Sequence, residues 1–137
     1  MLSALSATRM ITLEDYFMGR DKLFPAELTE EMWGNAVTTI ERANLLLERA
    51  GLQRGVNSGW RPAAVNASVR NAAKRSKHIH CLAIDIDDDD DALDAWCMEN
   101  LDVLAEIGLW LEHPASTPRW CHVQTVPPKS GKRVFVP

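Results

Sequence analysis

The stretch Ser76-Lys77-His78-Ile79-His80-Cys81-Leu82-Ala83-Ile84-Asp85-Ile86-Asp87 decides the fold of this chain, because it contains a strand and the turn that leads into it. Residues 83–87 alternate with period two. Asp85 and Asp87 are therefore predicted on one face of a strand, while Ile84 and Ile86 point into a core. His78 precedes the strand by a short turn, so its imidazole can fold back toward the Asp85 carboxylate.

A second predicted strand, Trp120-Cys121-His122-Val123-Gln124, supplies another imidazole. Trp120, His122 and Gln124 share one face of it, and a neighbouring strand can place His122 beside Asp85. A hydrolytic zinc site needs three protein ligands and one open position for water. His78, Asp85 and His122 meet that need, so they are the predicted metal ligands and Zn²⁺ is the predicted cofactor.

Three segments resemble, in the same order, the motifs of the zinc D-alanyl-D-alanine peptidases, whose fold is shared with the hedgehog signalling domain. Ser76-x-His78-x-x-Cys81-x-Ala83-x-Asp85 is similar to the family's Ser-x-His-x-x-Gly-x-Ala-x-Asp motif. Ser58-Gly59-Trp60-Arg61-Pro62, followed by Asn66, resembles its Ser-Gly-Tyr-Arg-Pro segment, and Trp120-x-His122-Val123 resembles its last ligand strand. The resemblance covers most of residues 56–126, and within the family the chain looks most like short peptidases of bacteriophages and prophages, which cut peptidoglycan stem peptides.

The resemblance implies an α+β fold in which a small antiparallel sheet carries the zinc site and packs against helices. It also implies hydrolysis of amide bonds in peptidoglycan stem peptides, of the carboxypeptidase or the endopeptidase type, by metal-activated water. Arg61 would be catalytic and substrate-binding, because its planar guanidinium suits a carboxylate or an oxyanion. Ser58, Asn66 and Ser76 are expected to bind substrate or to orient Arg61.

The general base is the part of the site that the motifs do not specify. Several relatives carry a glutamate three residues before the last histidine, where this chain has Arg119. Glu112 is the predicted substitute, since residues 109–114 favour a strand that forms a hairpin with the His122 strand. Asp87 is the rival base, and His113 or His80 is a candidate proton donor.

Cys81 stands where the family pattern has glycine, a residue that often marks a backbone angle that side chains resist. Cys81 and Cys121 both neighbour ligand segments, so a mixed metal site stays open. His80 is not a predicted ligand, because it would project to the opposite side of an extended segment from His78.

The aspartates from Asp87 to Asp91 invite a calcium interpretation, since hard cations favour carboxylate oxygens. The run lacks the glycine and the distal glutamate of an EF-hand loop. A solvated loop that caps the next helix is the predicted structure, because aspartates satisfy the free amides at a helix start and complement its dipole.

The remaining patterns predict helices before and between the strands of a single domain, residues 1–137. Thr29 caps a helix to Ala50 that Gly51 ends, with a stripe of Met32, Ala36, Ile40 and Leu47. A brief strand near Val56 and one or two short helices in residues 62–73 follow. A helix over residues 92–107 buries Leu93, Trp96, Cys97, Leu101 and Leu104, and Gly108 stops it. Residues 1–25 are left open, except that Leu13, Tyr16 and Phe17 are spaced to pack as a short helical turn, and residues 127–137 are predicted as an extended tail.

Composition narrows the class of protein. The net charge of −4 disfavours nucleic-acid binding, and no apolar run is long enough to span a membrane. The three cysteines form no paired motif, which suits a reducing compartment. No secretory signal is predicted, because no positive charge precedes the first apolar residues. The protein is therefore expected in the cytoplasm until lysis releases it, or in a virion.

Two alternatives to the peptidase remain from the sequence. One is a catalytically inactive zinc-binding module of the same fold in a phage or prophage structural protein, which Arg119 and Cys81 make credible. The other is a virion or tail module whose histidines bind no metal.

Overall fold

The computed structural model describes residues 10–68 and 76–137. Within these ranges the chain is a mixed α+β structure, in which a five-stranded mixed sheet packs against helices. The helices are α1 (Leu13–Phe17), α2 (Arg20–Leu23), α3 (Glu30–Ala50), α4 (Ala63–Ser68), α5 (Ala92–Glu99) and α6 (Leu101–Ile107), with 3-10 turns at Pro25–Glu27 and Pro114–Ser116. The strands are β1 (Val56–Ser58), β2 (Ala83–Asp87), β3 (Trp110–Glu112), β4 (Trp120–Gln124) and β5 (Val134–Phe135).

The strand order in the sheet is β1-β2-β4-β3-β5. The first four strands in that order run antiparallel to their neighbours, whereas β5 pairs with β3 in parallel. The sheet predicted to be antiparallel is therefore mixed. The cause is a reversal after β4, where the N–H of Gly131 donates to the carbonyl of Pro128 (3.0 Å) and Gly131 has a φ of 73°. Residues 127–137, predicted as extended, use this turn to bring β5 to the sheet.

Helix α3 confirms the predicted start and end of the longest helix. The hydroxyl of Thr29 accepts a hydrogen bond from the N–H of Met32, and Gly51 ends the helix with a φ of 68°. A cap of this kind contributes about 1 kcal/mol to helix stability. The buried face of α3 consists mainly of small and branched apolar residues: Ala36, Ile40, Ala43, Leu46 and Leu47.

The helix predicted over residues 92–107 is broken in two. Asn100 separates α5 from α6, with a φ of −133°. Its side-chain amide donates to the carbonyl of Trp96 (2.8 Å), so the side chain takes an acceptor that a continuous helix would give to a backbone N–H. Leu93, Cys97 and Leu104 are nevertheless buried as predicted.

The acidic run after β2 caps helix α5, as predicted. Asp90 accepts from the N–H of Ala92 (3.2 Å), and the main capping residue is Asp88. Its carboxylate is fully buried and accepts hydrogen bonds from the N–H groups of Leu93 and Asp94, both at 2.8 Å. Asp91 stands directly before the helix and makes no side-chain capping bond. Arg54 adds a positive charge 3.8 Å from Asp88.

The N-terminal segment contacts both the start of β2 and the loop that contains Trp60. Thr12 and Asp15 form a capping box that starts α1. The hydroxyl of the buried Tyr16 donates to the carbonyl of Ala83 (2.8 Å), at the first residue of β2. Phe17 packs edge-on against Trp60, with ring centroids 6.0 Å apart. The short helical turn that Leu13, Tyr16 and Phe17 suggested in the sequence is helix α1, and the rest of this segment had no predicted structure.

Helix α4 occupies part of residues 62–73, where one or two short helices were predicted. Residues 69–73 of that region lie outside the described residues. Among the helices of the described ranges, none has the length and apolar character needed to cross a bilayer.

Candidate metal centre

Strands β2 and β4 bring two of the three predicted ligands together. Asp85 lies directly opposite His122 in their antiparallel register. One carboxylate oxygen, Oδ1, is 2.8 Å from Nδ1 of His122, and the other, Oδ2, is 3.3 Å from Nε2 of His78. The three residues are buried, and one ligand atom from each lies within 4.8 Å of the other two. The predicted strand pairing therefore brings His78, Asp85 and His122 into one cluster.

The turn before β2 orients His78. Its backbone N–H donates to the hydroxyl of Ser76 (3.2 Å), and its ring Nδ1–H donates to the carbonyl of Gly59 (2.9 Å). Since a carbonyl only accepts, the proton of the neutral ring is on Nδ1 and the lone pair of Nε2 points into the cluster. Nε2 is buried and has no hydrogen-bond partner among the described residues.

Gly59 can present its carbonyl to His78 only because it has no side chain. A Cβ at this position would lie 2.0 Å from the backbone oxygen of Tyr16, a distance that no real contact reaches. Trp60 connects the same loop to the His78 turn, because its indole N–H donates to the carbonyl of Ile79 (3.0 Å). The Ser-Gly-Trp-Arg-Pro segment thus supports the His78 turn as well as carrying Arg61.

The three clustered side chains alter one another's ionisation. Burial opposes the charge on Asp85, but the two histidines outweigh it and hold the pKa of Asp85 below its usual value. Burial also lowers the pKa of His78, with Asp85 acting in the opposite direction. For His122 burial is outweighed by the hydrogen bond to Asp85, which raises its pKa. The cluster is therefore an ionised carboxylate between two imidazoles.

These residues fit a zinc ion by the chemistry of their donor atoms. Two imidazole nitrogens and one carboxylate oxygen are a common three-ligand set for zinc with a fourth position open. A buried ring nitrogen without a partner costs free energy that a bound cation would recover. His78 Nε2 is such a nitrogen.

Glu112 lies beside this cluster, at the end of β3. Its Oε1 is 3.8 Å from Nδ1 of His122, the same nitrogen that faces Asp85. Burial raises the pKa of Glu112, and the charge of Asp85 acts in the same direction. The pairing of β3 with β4 accounts for the position, as the predicted hairpin requires. On the other side β5 places Phe135 in register with Glu112.

The rival base, Asp87, lies outside the cluster. It is paired with Trp120 at the far end of β2 and lines a surface cleft with Met10 and Arg54. A Cβ on Gly55 would be 2.9 Å from its Oδ2, so Asp87 packs against the loop before β1.

Arg61 reaches the cluster from the loop between β1 and α4. Its Nη2 is 3.8 Å from Oδ2 of Asp85, and its Nη1 donates to Oδ1 of the buried Asn66 (3.4 Å). The Nε of Arg61 is buried and has no hydrogen-bond partner among the described residues. Ser58 lies opposite Asp85 in the pairing of β1 with β2. Ser76 is engaged by the backbone of His78, which gives it a role in the turn.

The cysteines do not join the metal cluster. Cys81 has a φ of 61°, a left-handed backbone conformation that favours glycine. Its thiol is buried next to the Tyr16 hydroxyl, and burial raises its pKa to about 12. Cys121 is buried on the opposite face of β4 from His122, where it meets Cys97 and Asp94. The described ligand group is therefore without sulfur.

The other candidate acids and bases lie at the surface or in turns. His80 is exposed, as expected for a residue that is not a ligand. His113 accepts from the N–H of Ala115 (3.0 Å) and caps a 3-10 turn. Arg119 is turned to solvent and is 3.5 Å from Asp89.

Two residues near the site were given no role by the sequence reasoning. Arg20 donates from Nη1 to the carbonyl of Trp60 (2.9 Å), directly before Arg61. Burial lowers the pKa of Arg20, and the charge of Arg61 lowers it further. No local pattern could have found Arg20, because it comes from α2. Gln124 accepts from the ring of His122, and its place on the same strand face was the available signal.

A second group of acids, Asp88, Asp91 and Asp94, also brings ligand atoms within 4.8 Å of one another. Both oxygens of Asp88 already accept backbone hydrogen bonds in the helix cap, so this group has a structural role.

Comparison of the chain with protein-family models, with curated proteins and with solved structures found no match. The residues of the His78, Asp85 and His122 cluster are therefore the basis for assigning a function.

Proposed function

We propose that this protein is a zinc-dependent peptidase that hydrolyses amide bonds in peptidoglycan stem peptides. The observation that carries the proposal is the convergence of His78 Nε2, an Asp85 oxygen and His122 Nδ1, with Glu112 3.8 Å from the same His122 nitrogen. The choice of substrate is supported by the resemblance of the three motifs to the zinc D-alanyl-D-alanine peptidases. The proposal includes their hedgehog-like fold.

His78, Asp85 and His122 would hold the zinc ion. When bound, zinc supplies a Lewis acid that polarises a carbonyl and lowers the pKa of water. The hydrogen bond from His78 to the Gly59 carbonyl keeps the first ring in the orientation this requires. Such support from outside the ligand set is typical of protein metal sites.

Glu112 acts as the general base. It accepts a proton from the water that attacks the amide carbon, and it returns that proton to the amine that leaves. Burial raises its pKa, which makes it a better proton acceptor than an exposed glutamate. Its position beside His122 satisfies the geometric demand on a base better than Asp87 does.

Arg61 stabilises the negative charge that develops on the carbonyl oxygen of the substrate. Its side chain is only 12% exposed, and it is held by Asn66 and by the charge of Asp85. Few water molecules compete at a site of this kind, so a fixed cation is worth more there than at the surface. Arg20 adds a second positive charge on the same side, which favours substrates with a carboxylate close to the amide bond.

The test measures the zinc content of the protein and its hydrolysis of peptide bonds. Purified protein is expected to hold one zinc ion per chain and to release new amine termini from isolated peptidoglycan. His78→Ala should lose both properties. His80→Ala is the matched control, because it removes an exposed imidazole two residues away, and it should keep both. Wild-type protein without stoichiometric zinc after reconstitution would exclude the metal site.

A zinc-binding module of the same fold without turnover is the second candidate. The observation that favours it is the exposed Arg119 at the position where several relatives carry the base. It predicts stoichiometric zinc with no amine release, under conditions in which a known peptidoglycan peptidase is active. Absence of zinc together with absence of activity would instead support a structural module whose histidines bind nothing.

A further inference from the structure

Gln124 makes two hydrogen bonds that together fix the orientation of the His122 ring. Its side chain is buried, with 3% of the residue exposed. The amide nitrogen Nε2 donates to the backbone carbonyl of Val126 (3.0 Å), and the amide oxygen Oε1 is 3.0 Å from Nε2 of His122. Because the Val126 carbonyl only accepts, the NH₂ group must face it. The amide oxygen is thereby directed at His122.

The direction of the amide determines which ring nitrogen carries a proton. An amide oxygen only accepts, so Nε2 of His122 must be protonated and must donate to it. Without a metal the ring also donates from Nδ1 to Asp85 at 2.8 Å, and when a metal takes the place of that proton the lone pair is on Nδ1, the nitrogen that faces Asp85 and Glu112. A ring rotated by half a turn would present the carbon Cδ2 to the cluster and would leave the buried Oε1 of Gln124 without a donor.

We propose that Gln124 is the positioning residue of the metal centre, which holds His122 with Nδ1 toward the metal position and Nε2 protonated. This inference rests on the proposed zinc site and adds a residue that touches neither metal nor substrate. It parallels the bond between His78 and the Gly59 carbonyl, so each ring is oriented by one acceptor on the side away from the cluster. The difference is that a side chain supplies the acceptor for His122 and can be replaced.

The experiment compares Gln124→Met with Gln124→Glu. Methionine fills a similar volume without an acceptor of comparable strength, and zinc affinity, measured by competition with a chromogenic chelator, should fall by about 10- to 100-fold, the usual effect of removing such a partner. Glutamate keeps an acceptor for Nε2–H, so it should recover at least half of that loss on a logarithmic scale. Thr125→Val is the control. Thr125 follows Gln124 in the chain, and its hydroxyl donates to the carbonyl of Leu82 (3.3 Å). Removing that bond should change zinc affinity by less than about twofold.

Nitrogen NMR of the histidine rings gives a readout that is independent of metal and of activity. In wild-type protein, with and without zinc, His122 Nε2 should carry the proton. In Gln124→Met, His122 should no longer show the chemical shift that is typical of a hydrogen-bonded Nε2–H. A wild-type protein in which Nε2 is the unprotonated nitrogen would overturn the proposal, whether or not the variants fold.

The two proposals fail in different ways. If wild-type protein binds no zinc but shows the expected His122 ring, the zinc peptidase is wrong and Gln124 still orients the ring. If wild-type protein binds zinc and Gln124→Met binds it equally tightly, the role of Gln124 is wrong and the zinc site stands.

Discussion

Glu112 Oε1 lies 3.8 Å from Nδ1 of His122, on a strand that is paired with the strand of that histidine. The same nitrogen is 2.8 Å from Asp85. Two carboxylates therefore address one imidazole nitrogen, and they differ in charge environment. The histidines keep Asp85 ionised, whereas burial raises the pKa of Glu112. This separation is what a ligand and a proton acceptor in one site require.

Replacing Glu112 with glutamine should abolish turnover without removing the metal. Because the amide cannot accept the proton of the attacking water, the rate of amine release should fall by about 10²- to 10⁴-fold. Zinc content should stay at the wild-type level, since Glu112 is not one of the three ligands. The measurement is amine release from peptidoglycan, together with elemental analysis of the same preparation.

Two controls bracket this substitution. Glu106→Gln makes the same chemical change at an exposed position, where Glu106 pairs with Arg49 at 2.7 Å, and it should leave the rate unchanged. Asp87→Asn removes the rival base and should also leave the rate unchanged. Full activity in Glu112→Gln, combined with loss in Asp87→Asn, would transfer the role of base to Asp87.

Gly59→Ala should disrupt the metal centre from outside it. The new Cβ would collide with the Tyr16 carbonyl, so the loop must move and withdraw the acceptor of the His78 ring. We expect zinc affinity to fall by at least about tenfold, the usual effect of losing such a partner, with a lower melting temperature. Gly34→Ala is the matched control, because nothing lies within 4 Å of its Cβ position in α3. Alanine there should stabilise the helix by up to about 1 kcal/mol. Wild-type zinc affinity in Gly59→Ala would show that the loop does not position His78.

Cys81→Gly should leave zinc binding intact. The Cys81 thiol points to Tyr16 and not to the metal cluster, so a ligand is not lost. For stability, glycine relieves a left-handed backbone that costs a residue with a side chain about 1 kcal/mol, and it loses the burial of a small apolar group of similar magnitude. The free energy of unfolding in urea should therefore change by less than about 1 kcal/mol. Loss of zinc in Cys81→Gly would revive the mixed site that the sequence left open.

The sequence was most informative where a local pattern coincides with a tertiary requirement. The alternation in residues 83–87 predicted that Ile84 and Ile86 are buried, and both are fully buried. Thr29 and Gly51 predicted the two ends of α3 from the chemistry of capping. The hairpin of β3 with β4 followed from strand patterns separated by a proline-bounded loop, although the pattern predicted Glu112 some residues along the sheet from His122 and the structure places the two side chains 3.8 Å apart.

Features that depend on distant contacts were beyond the sequence. Arg20 lies near Arg61 because its guanidinium donates to the carbonyl of Trp60, 40 residues away in the sequence, and no periodicity encodes that contact. The break at Asn100 depends on one side-chain hydrogen bond, which competes with a helix that the apolar spacing favours. The chain reverses at Gly131, and β5 then pairs in parallel with β3. The sequence of residues 127–137 alone does not indicate which strand β5 joins.

Asp94 should make stability fall as the pH rises through the weakly acidic range. Burial raises the pKa of Asp94 to about 6, and the nearby Asp88 acts in the same direction. A carboxyl whose pKa is higher in the folded state binds its proton more tightly there. Its contribution to stability is therefore complete below the unfolded pKa of about 4 and is lost as the pH rises through about 6. Asp94→Asn removes this dependence. The variant should melt at a higher temperature than wild type at pH 7.5, and the gap should narrow toward pH 4. Asp102→Asn, an exposed change in the first turn of α6, should not show that narrowing, and a constant gap for Asp94→Asn across this range would contradict the raised pKa.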